Sequence, residues 1–149
     1  MLETEPVLPR WLLVVIRIPR TIIQSIFKGP LRPVLQFFNL YFYRTVFHFS
    51  AHKTFDGINL YCFDGVEKEI FFEIAVQALD ILERHEPRRY KRVKTYLENI
   101  VLMPSGNGYF EGLTTSFIVD SIDPARPAEF AAEIVHEATH GLLHAKGLT

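Results

Sequence analysis

The sequence is poor in the features that mark several classes of protein. It has a single cysteine, Cys62, which excludes an internal disulfide framework and fits a reducing cytoplasm. Its longest apolar run, residues 11–16, is cut at Arg17, well short of the ~20 residues that a membrane-spanning helix needs. The first five residues are acidic where a secretory signal would be basic. These absences predict a cytoplasmic protein without a standard export signal.

A strong charge bias is also absent, and the composition is that of a folded domain. The chain has 149 residues, 48% of them hydrophobic, and a formal net charge of -1. Such a chain can bury a substantial core and gives no indication of disorder. We expect one α+β domain over residues 46–149, preceded by a helical segment over residues 1–45.

One short motif carries most of the chemical information. Residues 136–140 read His-Glu-Ala-Thr-His, a His-Glu-x-x-His pattern. In a helix, two histidines four positions apart project from one face, so His136 and His140 can bind one metal ion at about 2.0–2.1 Å. Glu137 is then within reach of a metal-bound water, whose pKa zinc lowers toward ~7. The pattern predicts a Zn2+ site with Glu137 as general base.

The surroundings of the motif predict that it lies on a helix. Asp123 is a preferred N-cap residue, and Pro124 is preferred at the first helical position. Gly147 is a residue that commonly ends a helix. On a helical wheel an apolar stripe separates from a histidine face. The stripe comprises Phe130, Ile134, Ala138 and Leu142, and the histidine face comprises Glu133, His136, His140 and His144. This separation argues against buried structural histidines, whereas a solvated surface stripe that contains three imidazoles stays open as an alternative to metal binding.

The segment before this helix has the composition of a strand. Residues 108–121 are rich in β-branched and aromatic side chains in partial alternation. A strand followed by a His-Glu-x-x-His helix resembles the zincin metallopeptidases, in which a strand at the lip of the cleft pairs with an extended substrate. The resemblance covers residues 98–147 at most.

The zincin resemblance implies a fold, a substrate and roles for three residues. The fold is a small mixed or antiparallel sheet with a backing helix and an active-site helix, preceded here by amphipathic N-terminal helices. The substrate is a peptide or protein. By the same resemblance, His136 and His140 are zinc ligands and Glu137 is the general base.

The third zinc ligand is left open. His144 lies roughly 12 Å along a straight helix from His136, too far to share an ion with it unless the helix breaks at Gly141. The spacing of Gly141 and His144 also departs from the metzincin pattern. Gluzincins take this ligand from a glutamate on a later helix, so we expect the chain to be a piece of a longer protein. Upstream alternatives are Glu111, on the predicted edge strand, and Glu133.

Other side chains receive lesser roles. Peptide deformylase also uses a His-Glu-x-x-His helix, with a cysteine ligand, but the residues around Cys62 lack that family's pattern. We predict a small buried side chain at Cys62. Tyr109 is a candidate for stabilising the oxyanion. The remaining histidines, His48, His52 and His85, are predicted to be structural or on the surface.

The first fifty residues are apolar and basic. Residues 19–27 and 33–42 each place apolar side chains on one helical face, which predicts two short amphipathic helices. Packing against the protein is the commoner role of such helices, and the alternative is peripheral contact with a membrane through residues 10–45. The main rival to a peptidase is therefore a non-catalytic zincin-like module that binds a membrane surface or a protein partner.

The middle of the chain predicts the rest of the sheet and its helices. We expect strands at residues 44–49 and 58–63 around an Asp-Gly turn, helices at 66–86 and 88–99, and a strand at 100–103. Five cations in residues 88–94 and two nearby tyrosines would suit nucleic acid, but such a run is usually a solvated helix face. Nucleic-acid binding is therefore not expected.

Overall fold

A computed structural model describes residues 41, 45, 47, 48, 50–63, 68–103 and 108–148. The chain divides into two compact units, Met1–Ser50 and Ala51–Thr149. The predicted amphipathic helices of the first unit lie almost wholly outside the described residues. In the predicted strand at 44–49, the described residues Thr45, Phe47 and His48 are helical, so that prediction was wrong. A stretch this short fits a helical period as well as a strand period.

The described part of the second unit contains five strands and three helices. In chain order they are β1 (Ala51–Phe55), β2 (Ile58–Cys62), α1 (Lys68–His85), α2 (Pro87–Tyr96), β3 (Asn99–Leu102), β4 (Tyr109–Glu111), β5 (Ser116–Val119) and α3 (Pro127–Ala145). The prediction of an α+β fold is confirmed.

The five strands form one mixed sheet in the order β1-β2-β3-β5-β4. Strands β2, β3 and β5 are parallel, and each edge strand is antiparallel to its neighbour. Residues 108–121, predicted as one strand, instead form the hairpin of β4 and β5. The edge strand β4 is thus followed in the chain by β5 and then by α3.

One face of the sheet is packed against the helices. Alternate residues of the central strands, such as Leu60, Ile100 and Phe117, are buried in one core with side chains of all three helices. The helical contribution includes Phe71, Ile74, Leu79, Val93, Phe130, Ile134 and Ala138. Helix α3 therefore has a buried side that fixes the direction of its remaining faces.

A row of polar side chains crosses the other face of the sheet, with one member on each strand. The row comprises, in sheet order, Thr54, Asn59, Asn99, Ser116 and Glu111, at paired positions of the register. Asn59 Nδ2 donates to Asn99 Oδ1 at 3.3 Å, and Asn99 Nδ2 donates to Ser116 Oγ at 3.1 Å. Thr54 Oγ1 donates to Asn59 Oδ1 at 3.1 Å. The buried Asn99 and Ser116 are therefore satisfied by their neighbours across the strands.

The turn between β1 and β2 has the geometry that its sequence predicts. Asp56 and Gly57 have φ values of 45° and 86°, as a type I′ turn requires. Helix α2 fastens this turn, because Lys94 Nζ and Tyr90 Oη both donate to Asp56 Oδ2, at 2.7 and 2.8 Å. These two hydrogen bonds hold the pKa of Asp56 below its ordinary value, and the bond from Lys94 has the larger effect.

This contact predicts a pH dependence of stability. Because folding lowers the pKa of Asp56, its stabilising contribution is present above the ordinary value of 3.8 and is lost as the pH falls through the folded value. We expect Asp56→Asn, which keeps a good type I′ turn residue, to lower the free energy of unfolding at neutral pH. The difference from the parent chain should disappear in acid, as urea unfolding at a series of pH values would measure. A difference that grows in acid would contradict the assignment.

Helix α3 begins at Pro127, three residues after the predicted start. Asp123 does not cap it, since Asp123 Oδ1 accepts from the backbone N of Ala125 at 2.9 Å and closes a separate turn. The residue before a proline is disfavoured in helical conformation, so Arg126 becomes the N-cap and Pro127 takes the first helical position. The predicted start at Pro124 is therefore corrected to Pro127.

Candidate metal centre

Helix α3 turns its histidine face away from the core. Phe130, Ile134 and Ala138 are at most 4% exposed, whereas the side chain of His136 is 69% exposed. The predicted separation of the two faces is confirmed. Since the helix continues through Gly141 to Ala145, the histidines keep their four-residue spacing on successive turns.

The side chains of His136 and His140 bring two ring nitrogen atoms close together. Their Nε2 atoms lie 3.1 Å apart, and their ring planes cross at 76°. Two nitrogens at this separation, each about 2.0–2.1 Å from one ion, subtend an angle of roughly 100° at the ion, close to that of tetrahedral coordination. The donor pair fits a metal ion without rearrangement of the helix.

Glu137 completes a group that could hold a metal ion. The donor atoms of His136, Glu137 and His140 all lie within 4.8 Å of one another, and within the described ranges no other three His, Cys, Asp or Glu residues are so arranged. Glu137 Oε1 is 3.9 Å from His136 Nε2. The Glu137 side chain is only 12% exposed, so its carboxylate is sheltered while the His136 ring is open to solvent.

A cleft of about 400 Å³ opens beside this group. Its lining comprises Gly108, Phe117, Val119, Asp120, Ser121, Glu133, His136 and Glu137. Phe117 and Val119 give it an apolar base, and its carboxylates carry the negative charge. Burial, and then the neighbouring carboxylates of Glu129 and Glu137, raise the pKa of Glu133. The volume of the cleft is within the range of small-ligand sites, and its lining is more polar than is usual for them.

Two candidates for a third ligand have other contacts. His144 stays on the helix one turn beyond His140, with its ring against the backbone of Gly112 and 6.0 Å from the ring of Phe110. Glu111 Oε2 accepts hydrogen bonds from the backbone N and the Oγ1 of Thr114, at 2.8 and 2.7 Å. Neither side chain belongs to the group of three, and Glu133 lies in the cleft and also outside that group.

The other residues singled out from the sequence lie in several places. Tyr109 is on the edge strand β4, and His52 is on β1, at the opposite edge of the sheet. His85 is the last residue of α1. Cys62 is buried, as predicted, at 3% exposure. Asp120 and Ser121, which follow β5 and line the cleft, were not identified, although their place between a strand and the motif helix was a usable signal.

Gly141 has a role that its sequence position did not predict. It lies at a close approach between α3 and the end of α2, where a Cβ atom would stand 2.6 Å from the carbonyl oxygen of Tyr96 and 3.2 Å from the Phe110 ring. Only a residue without a side chain fits this contact. The helix does not break at Gly141, the condition under which His144 could have shared an ion with His136, and Gly141 instead lies at a close packing contact.

None of the helices in the described ranges is both long and apolar enough to cross a bilayer. No known protein family, curated protein or solved structure matches the chain. The functional argument therefore depends on the geometry of the site.

Proposed function

We propose that this chain is a zinc-dependent hydrolase, and specifically a metallopeptidase of zincin type. The observation that carries the proposal is the pair of Nε2 atoms of His136 and His140, which lie 3.1 Å apart on one helix face. The sheltered Glu137 carboxylate lies beside them, and His136 and Glu137 both line the cleft. Two imidazoles are common zinc donors, and an adjacent carboxylate is the usual partner for water activation.

The order of the structural elements supports the same proposal. An edge strand, β4, precedes β5 and then the motif helix, and α1 and α2 support the sheet and α3. This is similar to the zincin arrangement, in which a strand at the lip of the cleft lies over the metal-bearing helix. An extended peptide could pair with such an edge by backbone hydrogen bonds.

Each residue of the site has a definite task in peptide hydrolysis. His136 and His140 would hold the ion, which would supply Lewis acidity for the attack of water on the scissile carbonyl. Glu137 accepts the proton of the attacking water and then delivers it to the departing amine nitrogen. The cleft would hold part of the substrate beside Glu137.

One observation favours a second candidate function, a zincin-like module without activity. Among the residues that the structure describes, no third protein ligand joins the two histidines apart from Glu137 itself. Zinc enzymes usually have three protein ligands, and two alone would bind the ion weakly. The metal content therefore separates the two candidates more directly than an activity assay.

The proposal predicts one tightly bound zinc ion per chain. After loading and dialysis, elemental analysis should find zinc in the parent chain and in His85→Ala, a control that removes an exposed histidine elsewhere. His136→Ala and His140→Ala should each lose it. The same measurement on His144→Ala, Glu111→Gln and Glu133→Gln identifies any third ligand. A parent chain that retains no zinc would exclude a zinc site built by these 149 residues alone and would favour the binding module.

A further inference from the structure

Helix α2 presents a line of cations on the side opposite its buried face. Tyr90, Val93 and, just past its end, Leu97 are buried in the core. At about 100° per residue, Arg88, Lys91 and Arg92 lie roughly opposite these side chains. All three are exposed, and we call them the outer ridge. The outer ridge is therefore the part of α2 that projects furthest into solvent.

The pairing of charges on α2 sets the outer ridge apart from its flanks. The flanking cations have partners, with Lys94 Nζ 2.7 Å from Asp56 Oδ2 and Arg89 Nε 3.6 Å from Glu86 Oε2. No side chain among the described residues forms an ion pair or hydrogen bond with the three cations of the outer ridge. Their charge is available to an external partner.

The outer ridge also stands out against the charge of the unit that carries it. Residues 51–149 contain fifteen Asp and Glu against ten Lys and Arg, and five of those ten cations fall within residues 88–94. An acidic unit is repelled by an anionic surface unless it presents its one basic region. The outer ridge would therefore select the orientation in which this unit meets a negative partner.

We propose that the outer ridge of α2 binds the anionic surface of a lipid membrane. Three cations on the outermost side of one helix can meet a flat surface together, and each lysine or arginine near an anionic leaflet is worth about 1 kcal/mol. Single-stranded nucleic acid is usually held through exposed aromatic rings as well as cations. Tyr90, within the basic run, is only 6% exposed and donates its hydroxyl to Asp56, so it offers no such ring. The other nearby tyrosine, Tyr96, is partly buried, and its backbone packs against Gly141.

The composition of the rest of the chain favours the same partner. Residues 1–50 contain six Lys and Arg against two Glu, among many apolar and aromatic side chains. Basic and apolar residues together are typical of segments that associate with anionic bilayers. The proposal is independent of the metal centre, because no residue of the outer ridge belongs to that site.

The test measures how the full chain partitions onto phosphatidylcholine vesicles with and without about 30% phosphatidylserine. The variant is Arg88→Gln, Lys91→Gln and Arg92→Gln together. The control removes three exposed cations elsewhere, by Lys53→Gln, Arg84→Gln and Lys146→Gln. Each cation near the anionic surface should strengthen binding by about fivefold. The loss of three cations should therefore reduce the gain in binding that phosphatidylserine gives by at least tenfold in the ridge variant. The control should retain most of that gain.

Any of three results would overturn the proposal. The first is an equal response to phosphatidylserine in the ridge variant and the control, and the second is no response in the parent chain. The third is that the parent chain binds an oligonucleotide more tightly than these vesicles at matched salt and that the ridge variant loses this binding, which would assign the surface to nucleic acid. Circular dichroism of both triple variants verifies that they fold, and their zinc content reports separately on the metal centre.

Discussion

Replacement of Glu137 by glutamine is expected to lower the rate of peptide hydrolysis by about 10²–10⁴-fold, the usual contribution of a general base. The amide keeps nearly the shape of the carboxylate but cannot accept the proton of the attacking water. Since the two imidazoles are left in place, the zinc content should not change. The expected signature is a fall in kcat at constant metal content, measured on a peptide that the parent chain cleaves.

The matched control for this change is Glu69→Gln, which removes an exposed carboxylate from the first turn of α1, outside the lining of the cleft. It should leave kcat within about twofold of the parent, as is usual for a surface change away from the chemistry. Loss of zinc from Glu137→Gln would make Glu137 a ligand instead of a base, since its carboxylate lies within the same group of donors. Unchanged turnover would remove Glu137 from the mechanism altogether.

Replacement of Gly141 by alanine is expected to lower the free energy of unfolding by about 1–3 kcal/mol, the usual cost of forcing an extra carbon into a packed contact. In a helix without tertiary contacts the same change would be stabilising by up to about 1 kcal/mol. Here the added Cβ would stand 2.6 Å from the Tyr96 carbonyl oxygen, and backbone must move to relieve the overlap. Packing outweighs helix propensity at this position.

The reciprocal change, Ala132→Gly on the exposed side of the same helix, separates these two effects. It should lower the free energy of unfolding by up to about 1 kcal/mol through propensity alone. Urea denaturation should therefore find both variants less stable than the parent, although one gains and the other loses a methyl group. A more stable Gly141→Ala variant would show that α2 and α3 are not in tight contact there.

Features that depend on near neighbours in the chain were predictable from the sequence. The Asp56-Gly57 turn needs only two residues that tolerate positive φ, and the convergence of His136 and His140 follows from the helical period. The apolar stripe of α3 was predicted for the same reason, since its three most buried members recur every four residues.

Features that depend on distant parts of the chain were not predictable. The constraint on Gly141 comes from Tyr96, forty-five positions earlier, and no local signal contains it. The division of residues 108–121 into two strands depends on the turn around Thr115, which has a positive φ of 47° although threonine is β-branched and disfavoured there. The cleft is assembled from both sides of that hairpin and from α3, so its lining could not be found by spacing alone.

The polar row across the sheet has a consequence for how the chain avoids misfolding. A slip of β3 by one residue would turn Asn99 toward the apolar core and Ile100 toward the polar row, because successive side chains point to opposite faces. The slipped strand would lose its bonds to Asn59 and Ser116 and bury an unpaired amide. Short strands of β-branched residues otherwise tolerate several alignments. The polar row therefore destabilises intermediates in which β3 is paired out of register, and this limits aggregation during folding.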